Sequence, residues 1–256
     1  MNTVIYSSAD GIARITINKP NSRNSLSLET LRELQAAFEH ADSDAGTRVV
    51  ILAGNGPAFC AGHDLKEIRA NAGNDAYAKE LFDTCAKLML TITRISKPVI
   101  ARVQGIATAA GAQLVATADL AIAADNSRFG TPGVNIGLFC STPMVALSRN
   151  VSRKHALEML LLGDLVPAED AYRFGLVNRI VPEAELDAAV DALAKKIASK
   201  SPVAVKTGKA AFYKQLEYGL DEAYAYTAQV MAENLRSCDA DEGICAFIEK
   251  RAPAWK

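Results

Sequence analysis

Features that mark secreted scaffolds, metal centres and membrane spans are scarce in this sequence. The chain has 256 residues but only 3 histidines, too few and too scattered to indicate a metal site, and no CxxC pair suggests zinc. Its 5 cysteines are an odd number with irregular spacing, so we expect reduced thiols and no disulfide framework. No run of about 18 uncharged apolar residues occurs, which predicts no membrane association.

An excess of charge of either sign is also absent. The 28 lysines and arginines are balanced by 29 aspartates and glutamates, giving a formal net charge of −1. Because nucleic acids are bound through clustered cations, this balance predicts no nucleic-acid partner. The N-terminal residues 1–6 contain neither a basic nor an apolar segment of the kind found in secretory signals, and we expect a cytoplasmic protein.

Apolar residues are plentiful and follow alternating strand and helix patterns. They make up 50% of the chain, enough for a sizeable core. Strand patterns cover residues 4–7, 12–18, 49–53, 98–103, 120–124 and 177–181, and a tight connection is expected at 129–133. Helical patterns cover 27–41, a short helix from 64, 77–95, 109–117, 183–198, 202–216, 220–235 and 239–249. This order predicts an α/β core over residues 1–182 and a C-terminal helical region over 183–256.

The loop Gly54-Asn55-Gly56 follows a predicted strand and invites comparison with nucleotide-binding loops. A dinucleotide fingerprint needs a further glycine where Phe59 stands, and no Walker lysine follows the two glycines. We therefore do not expect a nicotinamide or nucleotide-phosphate site here.

Two other segments share one design, in which small residues separate a buried strand from the start of a helix. They are residues 61–64 and 107–111. Small side chains let a ligand reach the main chain, and the first N–H groups of a helix are unpaired. Two such N–H groups directed at one carbonyl oxygen form an oxyanion hole. Small residues also permit close helix packing, and the spacing alone favours that simpler explanation.

Motifs along essentially the whole chain resemble the crotonase, or enoyl-CoA hydratase/isomerase, superfamily. In order they are PNSRNSL at 20–26, FCAGHDL at 59–65, VQGIATAAGAQLVATAD at 103–119, FGTPGVNIG at 129–137, AYRFGLVNRIV at 171–181 and FIEK at 247–250. Segments 63–67, 137–143 and 212–216 are similar to one subgroup of this family. Because several separated motifs occur in the right order, the resemblance is specific, and it favours the oxyanion-hole explanation.

The resemblance implies an α/β fold, a crotonase-like spiral of β-β-α turns whose C-terminal helices form a homotrimer, often a dimer of trimers. It implies an acyl-CoA substrate held at its thioester oxygen by the backbone N–H groups of His63 and Ala110. It implies no cofactor, since CoA is part of the substrate. The residues expected along the acyl-CoA are Asn24, Leu26, Ala61, Asp64, Leu65, Lys66, Gly111, Pro132, Gly133, Cys140, Phe247 and Lys250, the last two from a neighbouring subunit at the adenine end.

Two positions depart from the pattern of a hydratase. Typical hydratases of the family use two glutamates to activate water and protonate the α-carbon, and the motifs align Gln113 and Gly133 with them. An amide has no accessible pKa for this proton transfer, and glycine has no side chain. No Asp or Glu occurs between Asp125 and Glu158, so the acidic base of the family's isomerases is missing too. Enoyl-CoA hydration is therefore not the expected reaction.

His63 is the sharpest remaining candidate for a proton carrier, because an imidazole can act as acid, base or carboxylate partner. Residues 61–64 also resemble a segment of the family's methylmalonyl-CoA decarboxylase, where the histidine accompanies a tyrosine; here Cys140 stands at the tyrosine's place. Decarboxylation of a malonyl-type acyl-CoA needs enolate stabilisation but no pair of glutamates. It is one alternative function, and a catalytically silent acyl-CoA binder is another.

Structural roles compete with functional ones at several of these residues. We expect Cys140 to be a buried, inert thiol, and Asp64 to cap a helix with Glu67 as its acidic N3 partner. Gln113 either hydrogen-bonds water or substrate, or fills the core. The remaining candidates are expected to be structural, Asp119 and Asp125 as caps and Tyr213 and Lys214 on a helix surface.

Overall fold

The computed structural model describes residues 3–255, which form a mixed α/β structure. The strands are β1 Val4–Ala9, β2 Ile12–Ile17, β3 Val49–Gly54, β4 Val99–Val103, β5 Ile106–Thr108, β6 Leu120–Ala124, β7 Arg128–Gly130, β8 Val166–Pro167 and β9 Arg179–Val181. The helices are α1 Leu28–Ser43, α2 Leu65–Ala70, α3 Asp75–Arg94, α4 Ala110–Thr117, α5 Ser141–Asn150, α6 Arg153–Leu162, α7 Ala168–Phe174, α8 Leu186–Ala198, α9 Pro202–Gln215, α10 Leu220–Asn234 and α11 Cys238–Ile248. Short 3₁₀ helices cover Pro20–Ser22, Pro132–Ile136 and Glu183–Glu185.

The opening hairpin forms as predicted and starts a six-stranded sheet. Asp10 and Gly11 have φ angles of 52° and 76°, the positive values that a two-residue hairpin turn requires. The sheet has the order β1-β2-β3-β4-β6-β9, and every pair after the hairpin is parallel. The chain therefore leaves β3 and β4 at the same edge of the sheet, which brings the segments that follow them close together.

The two faces of the sheet are covered by different helices. In β3, Val50 and Leu52 face one way and belong to the large buried cluster that includes residues of α1, α3 and α4. Val49 and Ile51 face the other way and pack against α8. Because side chains alternate along a strand, this fully buried strand serves both layers and contains no polar residue.

A second, three-stranded sheet of β5, β7 and β8 was not expected from the sequence. Its strands have two or three residues each, too few to show a periodic pattern. The predicted tight connection at 129–133 is wrong in part, since Phe129 and Gly130 end β7 and a 3₁₀ helix begins at Pro132. Thr108 pairs with Gly130 in this sheet, which brings the chain after β7 beside the start of α4.

Local capping signals fix the starts of two helices near the cleft. The Ser27 hydroxyl accepts a hydrogen bond from the Thr30 N–H at 3.2 Å, as an N-cap does. Asp64 caps α2 as predicted, accepting from the N–H groups of Lys66 and Glu67. The predicted reciprocal role of Glu67 is wrong, because its carboxylate accepts from the Leu28 N–H at 3.2 Å instead. The Asp64 N–H is already bonded to the Leu26 carbonyl at 2.9 Å.

The helices after Pro182 lie within a few residues of their predicted bounds. The predicted 183–198 helix begins as a 3₁₀ turn, and its remainder, α8, covers the outer face of the sheet. The predicted division at 182/183 stays a prediction. Within residues 3–255, no helix combines the length and apolar character needed to cross a bilayer.

Candidate active site

Residues 60–64 run between two neighbouring chain segments and are hydrogen-bonded to both. On one side, Cys60 forms a parallel bridge with Ala107: its N–H donates to the Ile106 carbonyl, and its carbonyl accepts from the Thr108 N–H, both at 3.0 Å. On the other side, the Gly62 carbonyl accepts from the Leu26 N–H at 2.8 Å. The segment predicted to supply an oxyanion donor is therefore held rigidly from both edges.

The two predicted donors, the N–H groups of His63 and Ala110, are both unpaired. Neither has a hydrogen-bond acceptor among residues 3–255. Gly62 has a φ of 90°, and a Cβ there would lie 2.9 Å from Ala109 Cβ and 3.3 Å from the Ala110 nitrogen. The segment at 62–63 thus lies directly against the start of α4, and there is no room between them for a side chain at position 62. Two unpaired N–H groups on touching segments are the parts from which an oxyanion hole is built, and that role for them stays a prediction.

Backbone strain at Ala109 directs the first turn of α4. Ala109 has a φ of 50° and a ψ of −118°, which costs a non-glycine residue about 1–3 kcal/mol. Its N–H donates to the Gly130 carbonyl at 2.8 Å, so β7 holds it in place. No side chain caps the helix. The positive end of the helix dipole therefore faces any ligand that binds at the Ala110 N–H.

Gly111 has a packing role, and its expected place along the substrate stays a prediction. A Cβ at this position would lie 2.1 Å from the Cys60 carbonyl oxygen. The glycine therefore allows α4 to approach the 60–64 segment closely, as the simpler explanation of the small residues proposed. Close packing and unpaired N–H groups occur together here, because the packing brings the two N–H-bearing segments into contact.

The His63 imidazole is buried and has no hydrogen-bond partner among the described residues at either ring nitrogen. It packs edge-on against Phe82, with ring centroids 5.5 Å apart. Burial lowers the pKa of His63 from its ordinary value, and the nearby Leu26 carbonyl opposes this shift only in part. An imidazole can accept or share a proton, but a ligand reaches these two buried nitrogens only if the ring or a neighbouring side chain moves.

Gln113 lies within α4 and is 3% exposed. Its side-chain oxygen accepts a weak hydrogen bond from the Cys85 thiol, with 3.9 Å between Sγ and Oε1. Burial raises the pKa of Cys85 to about 12, so the thiol stays protonated at neutral pH. The contact supports a packing role, and hydrogen bonding of Gln113 to a substrate stays a prediction.

Gly133 and Cys140 are in contact, and Cys140 is buried as predicted. A Cβ on Gly133 would lie 2.8 Å from Cys140 Sγ and 2.7 Å from the Leu138 carbonyl oxygen. Burial raises the pKa of the Cys140 thiol, and the Gly133 N–H opposes this only in part. The position aligned with the second hydratase glutamate therefore has no room for a side chain.

Two of the expected ligand contacts are structural instead. Asn24 is fully buried, and its side chain bonds the Lys19 N–H and the carbonyls of Asn55 and Ala58. Leu26 is also fully buried and acts through its backbone, which forms the parallel bridge to His63. Since neither side chain is exposed, both support the 60–64 segment, and any contact with an acyl-CoA through their main chain stays a prediction.

Asp64 is occupied by neighbouring groups. Its carboxylate accepts from Lys19 Nζ at 3.2 Å and from the Ser25 hydroxyl at 3.1 Å, besides capping α2. Burial alone would raise the pKa of Asp64, but these hydrogen bonds together hold it below its ordinary value. A permanently charged, fully bonded carboxylate is better suited to fixing the loop than to moving protons.

The other expected contact residues are at least partly accessible. Ala61 and Pro132 are half-buried, and Leu65, Lys66, Phe247 and Lys250 are exposed. Phe247 and Lys250 lie in and just after α11, at the end of the chain. Their contact with an acyl-CoA stays a prediction.

Tyr213 corrects a further expectation. Tyr213 is half-buried, and its hydroxyl donates to Asp119 Oδ1 at 2.8 Å. Lys214 is exposed as expected. Asp119 does accept a backbone N–H, that of Val99 at 2.7 Å, and also pairs with Lys209.

The sequence did not indicate that Lys209 is buried and paired. Phe82 was also missed, although an aromatic residue off the apolar face of α3 was an available signal.

Among residues 3–255, no group of three or more His, Cys, Asp or Glu side chains is arranged to hold a metal ion. The candidate site therefore consists of two unpaired main-chain N–H groups and an unpaired imidazole, with the Gly133–Cys140 contact as a predicted further part of it. Its chemistry is that of an anion-stabilising cleft with few proton carriers.

Comparisons with known proteins agree with this arrangement. A sequence model of the enoyl-CoA hydratase/isomerase family matches residues 7–256. The chain is 50% identical to human enoyl-CoA hydratase domain-containing protein 3 over 246 residues, covering 96% of this chain and 81% of the relative. The Xenopus laevis protein of the same name is 50% identical over 245 residues, covering 96% and 83%.

Solved structures show the same fold. A crystal structure titled as an enoyl-CoA hydratase of Mycobacterium smegmatis has a TM-score of 0.96 at 49% identity, covering 99% of this chain and 98% of that one. The crystal structure of the human protein has the same TM-score and identity, covering 99% and 100%. These matches confirm the crotonase-like fold predicted from the motifs, and the predicted subgroup.

The names of the human and Xenopus relatives include the word mitochondrial, which contradicts the expected cytoplasmic location. That expectation is wrong because N-terminal composition was tested only against a secretory signal. Lack of such a signal does not distinguish the cytosol from other compartments.

Proposed function

The chain belongs to the enoyl-CoA hydratase/isomerase family, and from this premise we propose that it stabilises the enolate of an acyl-CoA thioester in an oxyanion hole. The donors are the N–H groups of His63 and Ala110. The observation that carries the proposal is that both groups are unpaired while their segments touch through Gly62 and Ala109. Loss of one such donor in other enzymes lowers the rate by roughly 10²–10³.

Hydration of an enoyl-CoA is not the reaction that this cleft favours. Hydration needs a base for water and a proton for the α-carbon, and Gln113 and Gly133 supply neither. Gln113 is bonded to a protonated thiol, and Gly133 has no room for a carboxylate. Incubation of the pure protein with crotonyl-CoA tests this, and turnover well above the buffer rate would overturn it.

Decarboxylation of a malonyl-type acyl-CoA is the alternative that the His63 side chain favours. In that reaction the bond between the α-carbon and the carboxyl carbon breaks, CO₂ leaves and the electron pair becomes the enolate. The enolate then takes a proton at the α-carbon. The unpaired imidazole lies in the segment proposed to supply the oxyanion donor, and a rotation that exposes one of its buried nitrogens would let it contact the carboxylate or relay the proton. CO₂ release from malonyl-CoA or methylmalonyl-CoA, lost in His63→Ala, is the expected result.

A catalytically silent acyl-CoA binder is the competing function from another class. It predicts retention of acyl-CoA thioesters without turnover across a broad panel. Mass spectrometry of the ligands retained by the purified protein, followed by product analysis for each retained thioester, separates the three functions. If no acyl-CoA is retained, the proposed function fails as a whole.

We also propose assembly into a homotrimer or a dimer of trimers through the C-terminal helices. Large apolar side chains on α10 and α11 are exposed in the single chain, with Phe247 85%, Leu220 73% and Ile248 72% exposed. Exposed apolar side chains of this number mark an interaction surface. In this assembly Phe247 and Lys250 cover the adenine end of an acyl-CoA bound by a neighbouring subunit. Light scattering of the purified protein gives the number of subunits.

We propose no cofactor beyond the CoA of the substrate.

A further inference from the structure

We propose, relying on the acyl-CoA binding proposed above, that Gly133 and Cys140 form a matched pair that limits the size of the acyl group and keeps this wall of the cleft free of a side-chain base. The sulfur of Cys140 occupies the space that a side chain at position 133 would need. The pair is therefore a specificity-determining device, and its two members are expected to depend on each other.

The space above Gly133 is closed by two groups that are fixed in position. A Cβ there would lie 2.7 Å from the Leu138 carbonyl oxygen and 2.8 Å from Cys140 Sγ, so a neighbouring atom would have to move. The carbonyl is held because the Leu138 N–H donates to the Gly133 carbonyl at 2.9 Å, which closes the loop. Cys140 is held because it is 8% exposed and its carbonyl accepts from the Met144 N–H at 3.0 Å in the first turn of α5.

The pair is connected to the proposed oxyanion donors through β7 on one side and through α5 on the other. The Gly130 carbonyl bonds the Ala109 N–H, so the chain leaves β7 next to the unpaired N–H of Ala110 and reaches Gly133 within one turn. Cys140 precedes α5, which packs against α4, and it belongs to the same buried cluster as Ala110. On the basis of these two connections, we place the acyl chain of a thioester held at Ala110 along this wall.

The chemistry of the wall indicates the class of acyl group that it accepts. Glycine adds no volume, so the sulfur is the atom that bounds the space. A buried, protonated thiol beside a glycine offers an apolar, uncharged surface. The part of the acyl group that contacts it is therefore small and uncharged, and a carboxylate on the substrate would be directed towards His63.

The first test measures the interdependence of the pair through thermal stability. The proteins compared are the wild type, Gly133→Ala, Cys140→Ala and the double variant. Since residues in contact are non-additive, we expect the loss of Tm caused by Gly133→Ala to be smaller by about 2 °C or more when the sulfur is absent. Equal losses in the two backgrounds would overturn the steric pairing.

The second test measures acyl selectivity and needs no change at Gly133. Dissociation constants of acetyl-, propionyl-, butyryl- and isobutyryl-CoA are measured by calorimetry for the wild type, Cys140→Ala, Cys140→Val and Cys140→Ser. Removing the sulfur is expected to shift the preference by about tenfold towards the larger acyl groups, and valine is expected to shift it towards the smaller ones. Serine, with nearly the volume of cysteine, is expected to keep the wild-type order.

A variant of Cys238, which is exposed at the start of α11, provides the control. Cys238→Ala is expected to keep the wild-type order of the four ligands. An unchanged order in Cys140→Ala, or the same shift in Cys140→Ser, would overturn the inference while leaving acyl-CoA binding intact. If none of the proteins binds any acyl-CoA, the proposed function itself has failed.

Discussion

Lys209 Nζ lies 2.7 Å from Asp119 Oδ2, and this ion pair joins α9 to the turn between α4 and β6. The side chains are only 5% and 16% exposed. Lys209 also donates to the carbonyls of Ile92 and Lys97, both at 2.9 Å, at the end of α3. One buried cation thus connects a C-terminal helix to the two helices, α3 and α4, that line the cleft.

Removing this cation is expected to destabilise the fold strongly. Lys209→Met leaves Asp119 buried without its countercharge and two carbonyls without a donor, which costs about 3–5 kcal/mol in the free energy of unfolding. Urea denaturation measures it. The matched control is Lys206→Met on the same helix, whose exposed side chain is expected to contribute within about 0.5 kcal/mol. Equal effects of the two substitutions would contradict a structural role for the buried pair.

A side chain at position 62 is expected to push the two donor-bearing segments apart and so to abolish acyl-CoA binding. In Gly62→Ala the new methyl group lies 2.9 Å from Ala109 Cβ and 3.0 Å from the Thr108 carbonyl oxygen. Calorimetry with an acyl-CoA and a melting curve measure the loss of affinity and of stability. Gly73→Ala is the control, because Gly73 also has a positive φ, 79°, but has no atom within 4 Å of an added Cβ. Comparable losses of affinity in both variants would mean that backbone strain, and not the separation of the two segments, is responsible.

Replacing the His63 side chain is expected to separate binding from turnover. His63→Ala keeps the backbone N–H, so the affinity for an acyl-CoA is expected to change by less than about tenfold. If the imidazole carries the proton, turnover falls by about 10²–10⁴. Rates and dissociation constants are measured on whichever thioester the wild type turns over. Undiminished turnover would remove His63 from the list of proton carriers and leave its amide as the only contribution.

His63 is also expected to make stability depend on pH. Burial lowers its pKa in the folded chain below 6.5, the value expected in the unfolded chain. As the pH falls below about 6.5, the unfolded chain gains a proton that the folded imidazole does not, so the free energy of unfolding decreases until the pH reaches the folded pKa. Above about 6.5 this contribution is fully present. Urea denaturation is measured between about pH 5 and pH 8, a range that brackets the ordinary histidine pKa. The free energy of unfolding is expected to depend less on pH in His63→Ala than in the wild type. Parallel profiles for the two proteins would contradict a depressed pKa.

Features governed by neighbouring residues were predictable from the sequence. The Asp10-Gly11 turn and the caps at Ser27 and Asp64 depend on contacts within a few residues, and each lies where the sequence placed it. The family motifs supplied the fold, and they also supplied the two N–H groups that are proposed as donors. The β5-β7-β8 sheet was missed because strands of two or three residues contain no periodic signal.

Features that depend on contacts distant in sequence were not predictable. Nothing near Asn24 indicates that its amide is consumed by carbonyls at residues 55 and 58, so its role as a support was visible only in the structure. Lys209 is likewise an ordinary helical lysine in the sequence, 90 residues from its partner Asp119. The exclusion of a side chain at Gly133 requires knowing where Cys140 folds back.

The double-sided pairing of residues 60–64 has a consequence for how such a cleft diverges. Both groups assigned to the thioester oxygen belong to the main chain, and only proline lacks an N–H. Any other replacement at positions 63 or 110 keeps the donor, while the side chains that handle protons can be exchanged around it. A duplicated copy of this chain can therefore evolve to catalyse a different reaction while it still binds CoA esters.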